Sequence, residues 1–251
     1  MRTTHTLAST VAVMGVIRRR WKLLLGLGAL LGVMAYFAVP YVYIHFINDP
    51  KPALTFENRD KELAKAGAAE PVSSTDGEWF VTQPSTAGYR VKETLNGQST
   101  SGVGRTNTVD GSFTLAGASI KSAEFNVDVS TLTSDQARRD KQVKGRLLAT
   151  DEFPVATFTL NEPIALGTLP ADGVTIAAKA SGTLSLRGKD KPVTLDLQAR
   201  RSGDKIEVLG NAALNFADFG IPDPSVKPFV STEQSGVLEV SLTLSRAPGN
   251  L

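Results

Sequence analysis

The sequence predicts an all-β domain, an antiparallel barrel or sandwich, carried behind one transmembrane helix. Three observations predict it. Short segments between residues 78 and 246 alternate apolar and polar side chains, the period of a half-buried strand. Turn-forming Gly, Asp, Asn and Ser separate these segments at hairpin spacing, and only one stretch inside the domain has a helical pattern. Residues 23–47, 25 in all, contain no Lys, Arg, Asp or Glu, enough to cross roughly 30 Å of hydrocarbon with some tilt.

The elements follow in chain order. Arg18, Arg19, Arg20 and Lys22 stand directly before the apolar run. The positive-inside rule makes residues 1–22 a cytoplasmic tail, residues 23–47 the anchor, and everything from residue 48 extracytoplasmic. A cleavable signal peptide has an apolar region of about 7 to 15 residues and a small-residue cleavage site; this run is longer and no clean Ala-x-Ala follows it. His45 reads as an interfacial residue near the outer end. Residues 48–77, rich in Pro, Ala, Lys and Glu, read as a linker that spaces the domain from the membrane, with a short helix over 58–66 capped by Asn58. Residues 247–251 are a C-terminal tail.

Trp79–Thr82 and Tyr89–Glu93 read as the first two strands. Residues 102–109 and 112–115 follow, with Asp110-Gly111 as a tight turn between them. The segment 119–131 alternates through Ala123, Phe125, Val127 and Val129. A charged insertion, 134–150, carries the helical pattern, and Asp135 and Arg139 are spaced as an i,i+4 pair on it. Strands return at 155–160, at 174–187 with Gly182 as a bend or bulge, and around Val193, Leu195 and Leu197. The last are 206–216 and the row Leu238, Val240, Leu242 and Leu244. Several expected inward residues are small: Ala156, Ala178, Ala180, Ala212 and Ala213. They leave room for a cavity, although a tightly closed sheet would use them too.

Composition excludes several functions. Residues 71–251 carry eighteen Lys and Arg against twenty Asp and Glu. That balance lacks the basic footprint of a nucleic-acid binder. There is no cysteine, and both histidines, His5 and His45, precede the domain. Thiolate chemistry, a Ser-His-Asp triad and the usual zinc sites are therefore unavailable within it. Asp218 has no second carboxylate at a recognisable catalytic spacing and reads as a turn or capping residue. No catalytic residue and no metal ligand is expected.

Several segments resemble one known family. Gly88-Tyr89-Arg90-Val91-Lys92 resembles an early strand of the YceI family. Arg139-Asp140, Phe153-Pro154 and Phe158 resemble its charged insertion and the strand that follows. Gly182-Thr183-Leu184-Ser185-Leu186-Arg187-Gly188 with Lys191-Pro192-Val193 resembles its Gly-x-Leu-Thr-x-x-Gly-x-x-Lys-Pro-Val hairpin, and Ala217-Asp218-Phe219-Gly220-Ile221 its Asp-Phe-Gly-Ile segment. The resemblance covers roughly residues 78–246. It departs in having no His near the first strand, and Asn215-Phe216-Ala217 where members often carry an Arg. It implies a lipocalin-like, eight-stranded antiparallel barrel with a short helical insertion that binds polyisoprenoid lipids, here in a branch tethered to the membrane.

The expected site follows from that reading. A long apolar ligand, an isoprenoid lipid or a quinone, needs an apolar tunnel with few polar groups. Phe125, Val127, Phe158, Leu184, Leu186, Leu195, Leu214, Phe216 and Leu242 are its expected lining. Burying one isoprene unit contributes roughly 2 kcal/mol at about 25 cal/mol/Å², so several units can bind without an ionic contact. Arg138 and Arg139 are candidates for a diphosphate head group, since guanidinium forks match phosphate geometry; the competing reading pairs Arg139 with Asp135. The alternative for the whole domain is a solid barrel that serves as an envelope structural or interaction module without ligand.

Overall fold

The computed structural model describes residues 6–47, 51–63, 75–226, 228 and 230–246. The first residues of the tail, the side chain of His45, linker residues 64–74 and the tail 247–251 lie outside the described residues.

The N-terminal unit is one long helix, α1 (Thr6–Val42), continued by a wide π-type turn over Tyr43–Ile47. The helix starts well before the apolar run, so the basic cluster expected in a separate tail is part of it. Its stretch Leu25–Val42 is long and apolar enough to cross a membrane. Large side chains such as Leu25, Leu30, Val33 and Phe37 are exposed along it, an arrangement stable in hydrocarbon and costly in water.

The second unit is a closed β-barrel. Its strands are β1 (Gly77–Leu95), β2 (Gln98–Thr106), β3 (Val109–Leu115), β4 (Ser119–Asp128), β5 (Val155–Leu160), β6 (Ile164–Ala165), β7 (Ile176–Leu186), β8 (Lys189–Ser202), β9 (Lys205–Asn215), β10 (Val230–Thr232) and β11 (Ser235–Ser245). The ring runs β1-β11-β9-β8-β7-β5-β4-β3 and closes where Gly77–Phe80 of β1 pairs with β3. All eight members pair antiparallel. Closure removes the unpaired edges of an open sheet. The strands β2, β6 and β10 pair only with β1, β4 and β1.

Several local expectations change. The two strands predicted at 79–82 and 89–93 are one, β1, whose register against β11 shifts between Thr82 and Thr86. Pro84 falls in that gap, where its missing N–H leaves no ladder bond unmade. Asp110-Gly111 is not a turn: both residues sit inside β3, and Asn107-Thr108 only interrupts the chain between β2 and β3, which both pair with β1. Gly111 is required by close approach, because a Cβ there would lie 2.2 Å from the Glu124 carbonyl oxygen. The strand predicted over 119–131 ends at Asp128, whose carboxylate accepts from the Ser130 amide at 2.9 Å and caps a 3₁₀ turn over Val129–Thr131. Gly182 neither kinks nor bulges β7, which pairs with β8 in unbroken register. Ala213 points outward and is exposed.

The charged insertion forms α3 (Ala137–Gln142) and a π-type turn over Val143–Leu147. Its apolar residues Val143 and Leu147 turn inward and pack with Val129, Leu132, Ala156, Leu186 and Phe219, plugging one end of the barrel. At the opposite end Trp79, Phe113, Leu115, Leu242 and Leu244 form a second cluster. There the Trp79 indole donates to the Thr75 carbonyl at 2.8 Å. Asn215, rather than Asp218, caps the 3₁₀ turn over Phe216–Phe219.

The linker is more than a spacer. Its helix, α2 (Phe56–Leu63), begins earlier than predicted and is capped by Thr55, whose hydroxyl accepts from the Asn58 amide at 3.2 Å. The segment packs on the outer wall of the barrel. Arg59 is buried there, donating to the Ser241 and Thr243 hydroxyls and to the Pro84 carbonyl, with Glu207 at 3.6 Å. The Arg200 guanidinium lies 4.3 Å from the centre of the Phe56 ring.

Candidate ligand cavity

Inward residues of the ring do not fill it. They enclose a cavity of about 320 Å³, lined almost wholly by apolar side chains. Pockets that hold drug-sized ligands span about 300–1,000 Å³, so the space suits an extended apolar molecule and is far above the volume of one water. The lining reaches from Tyr89, Glu93 and Arg139 at the insertion end to Leu169, Pro170 and Arg201 at the other.

Strand alternation explains the lining. On β7 the inward row is Ala178, Ala180, Leu184 and Leu186; on β9 it is Ile206, Val208 and Ala212; on β5 it is Ala156, Phe158 and Leu160. Small residues stand in the middle of β7 and β9, where Ala180 and Ala212 meet Leu195. The hollow exists because these positions are methyl groups rather than isobutyl or aromatic ones. Gly182 acts in the same sense: a Cβ there would lie 2.4 Å from the Phe158 ring, so the glycine lets that ring lie against the wall.

Eight of the nine predicted tunnel residues line the cavity: Phe125, Val127, Phe158, Leu184, Leu186, Leu195, Phe216 and Leu242. Leu214 does not. It is buried in the packed cluster at the insertion end, with Phe219 and Leu147. Arg139 lines the cavity; Arg138, its neighbour on α3, is exposed and does not. Residues one apart on a helix face different directions.

The insertion end is the polar part. Arg139 donates to Glu93 at 3.1 Å and also pairs with Asp135, as its i,i+4 spacing predicted. Burial works against its charge, but Glu93 and Asp135 outweigh that and raise its pKa further. Asp140 turns the other way and accepts from the Ser134 amide and hydroxyl at 2.8 and 2.6 Å. Tyr89 lies on the same inward row of β1 as Glu93. Burial pushes its phenol pKa well up; Arg139 pulls down, and Asp140, Glu93 and Asp135 push up. Its hydroxyl makes no hydrogen bond among the described residues.

Two glycines of β2 create this arrangement. A Cβ on Gly104 would lie 2.4 Å from the Tyr89 ring, and one on Gly102 would lie 2.7 Å from the Glu93 carboxylate. Sequence reasoning placed Tyr89 in a strand but not in the site. The available signal was the row Tyr89, Val91, Glu93 facing the glycine pair of the neighbouring strand. Arg201, beside the β8–β9 hairpin, was missed as well; nothing in its local sequence marks it as lining.

Comparison with known proteins agrees with this architecture. The model of the YceI-like domain matches residues 80–244. A UPF0312 protein of Vibrio parahaemolyticus is 28% identical over 139 residues, covering 52% of this chain and 70% of that protein. A UPF0312 protein of Pseudomonas aeruginosa is 32% identical over 127 residues, covering 47% of this chain and 62% of that protein. Among solved structures, a polyisoprenoid binding domain from Saccharophagus degradans, implicated in plant cell wall breakdown, superimposes with a TM-score of 0.53 at 16% identity. That alignment covers 68% of this chain and 99% of the other, and it is a likeness of fold. Since the family match begins in β1 and ends in β11, taking in the closed ring and its cavity, the chain belongs to the YceI-like domain family.

Proposed function

We propose that this protein is a membrane-tethered, extracytoplasmic lipid-binding protein that holds a polyisoprenoid or another long apolar ligand in its barrel. The observation that carries the reading is the apolar cavity of about 320 Å³ inside the closed ring. An apolar void gains nothing from water and much from hydrocarbon. The fold likeness to a polyisoprenoid binding domain supports the same ligand class. Phe125, Val127, Phe158, Leu184, Leu186, Leu195, Phe216 and Leu242 are the proposed contacts. A solid barrel would leave no such space, so the structural-module alternative is the weaker one. Tethering rests on the apolar stretch of α1, and orientation on the basic residues before it. The protein acts as a carrier, without chemistry of its own.

The test is the lipid content of the full-length protein purified from membranes, measured by mass spectrometry of an organic extract. One reproducible prenyl species at near-equal molar ratio is the expected result. Ala180→Phe, which fills the middle of the cavity, should abolish co-purification; overpacking there costs about 1–3 kcal/mol, which a barrel of this size can absorb. Wild-type protein that yields only bulk phospholipid, in the same amount as Ala180→Phe, would refute the proposal.

A further inference from the structure

A long apolar ligand has an end, and the polar groups at the ends of the cavity decide which terminus is tolerated. Two arginine side chains, Arg139 and Arg201, face the cavity, and each already meets a carboxylate. Arg139 is held by Glu93 and Asp135. Arg201, at the other end, is held by Asp172 at 3.3 Å; Arg200, its neighbour on β8, turns to the outer wall, where Glu207 and Asp60 hold it. At the insertion end, one cation stands among three carboxylates, Glu93, Asp135 and Asp140, all close enough to act on Tyr89. The remaining cations of the insertion, Arg138, Lys141, Lys144 and Arg146, lie outside the lining; Lys144 is half-buried and the other three are exposed, where solvent and salt screen them. Against this stands Tyr89, a lining phenol whose hydroxyl is uncommitted among the described residues.

Resting on the lipid-binding reading above, we propose that the ligand carries an uncharged hydrogen-bonding terminus, a hydroxyl or a quinone-type carbonyl, which meets Tyr89 at the insertion end, and that the site discriminates against phosphate and diphosphate. A diphosphate would have to draw Arg139 away from Glu93 and Asp135. That leaves two partly buried carboxylates unpaired beside an incoming anion, and the loss of one partner from a buried pair is the costly case. An uncharged oxygen accepts from the Tyr89 hydroxyl and breaks nothing. Burial and the surrounding carboxylates keep that phenol protonated, so it remains a donor.

The experiment is competition binding to the full-length, lipid-depleted protein in nanodiscs, with three probes of equal isoprene number: a polyprenol, a prenyl quinone and a polyprenyl diphosphate. The alcohol and the quinone should each bind at least about tenfold more tightly than the diphosphate. Tyr89→Phe should weaken the first two several-fold and leave the diphosphate unchanged. Glu93→Gln combined with Asp135→Asn, which frees Arg139, should narrow the gap by improving diphosphate binding. Equal or tighter binding of the diphosphate by wild-type protein overturns the proposal, and so does an unchanged ratio in Tyr89→Phe with an unaltered melting curve. Failure of all three probes to bind would instead remove the lipid-binding reading itself.

Discussion

At Gly104 a single hydrogen in place of a methyl group decides where an aromatic ring can lie. The Tyr89 ring occupies the space a side chain at 104 would need, and the burial that follows raises the phenol pKa. The sign of the consequence is definite. In the unfolded chain Tyr89 ionises near 10.0, and in the folded protein it ionises higher. Its contribution is fully present below pH 10 and is lost as pH rises from there through the raised value. Wild-type protein should therefore lose stability relative to Tyr89→Phe as pH rises above 10, with a limiting slope of about 1.4 kcal/mol per pH unit. Urea midpoints for the two proteins across that range would show it; parallel curves would mean that the phenol is not buried. The individual tunnel residues were legible because strand alternation specifies their face. The residues that dress the insertion end were not, since Glu93, Tyr89 and Arg139 meet only when β1 and α3 are brought together.

Among the elements, the outer-wall helix α2 is the one whose role differs most from its sequence reading. Its Pro-, Ala-, Lys- and Glu-rich surroundings read as a spacer, yet it is held by polar contacts. Arg59 enters a socket formed by β1, β9 and β11, where Ser85, Glu207 and Thr243 are buried on the outside of the barrel. Truncating it by Arg59→Ala should cost about 1–3 kcal/mol, the range for buried donors and acceptors left unmade. The cost should stay below the roughly 3–5 kcal/mol of an orphaned buried charge, because Glu207 keeps Arg200 at 2.7 Å. Denaturant midpoints measure the difference, and a change under about 0.5 kcal/mol would mean that α2 adds nothing to the fold. Asp60 adds a pH dependence. The hydrogen bond to Arg200 holds its pKa below 3.8, with burial opposing. That contribution is present above the ordinary value and lost as pH falls through the lowered one. It is modest, since Asp60 is mostly exposed.

For the whole molecule, ring closure is what creates a binding volume. An open sheet with the same strands would bury its inner face against another layer or leave it wet. Ligand bound to the folded cavity and not to the unfolded chain stabilises by mass action, about 2.7 kcal/mol at a free concentration one hundred times Kd. A polyprenol should thus raise the melting temperature of the wild-type protein by several degrees and leave that of Ala180→Phe unmoved. Equal shifts in both would place the ligand outside the cavity.

The succession of the strands, the long uncharged apolar run and most of the inward-facing residues were determined by the sequence alone, because each depends on local periodicity or on the length of an uncharged run. Two strands became one at Pro84, a supposed turn became the middle of β3 at Gly111, and a spacer became a bound helix at Arg59. Those outcomes depend on partners far away in the chain: β11 for the first, β4 for the second, β9 and β11 for the third. Tertiary structure decided them, along with the neutralisation of every arginine in the cavity lining among the described residues. Charge pairing across a closed sheet is a matter of distance in space, and no window of sequence contains it.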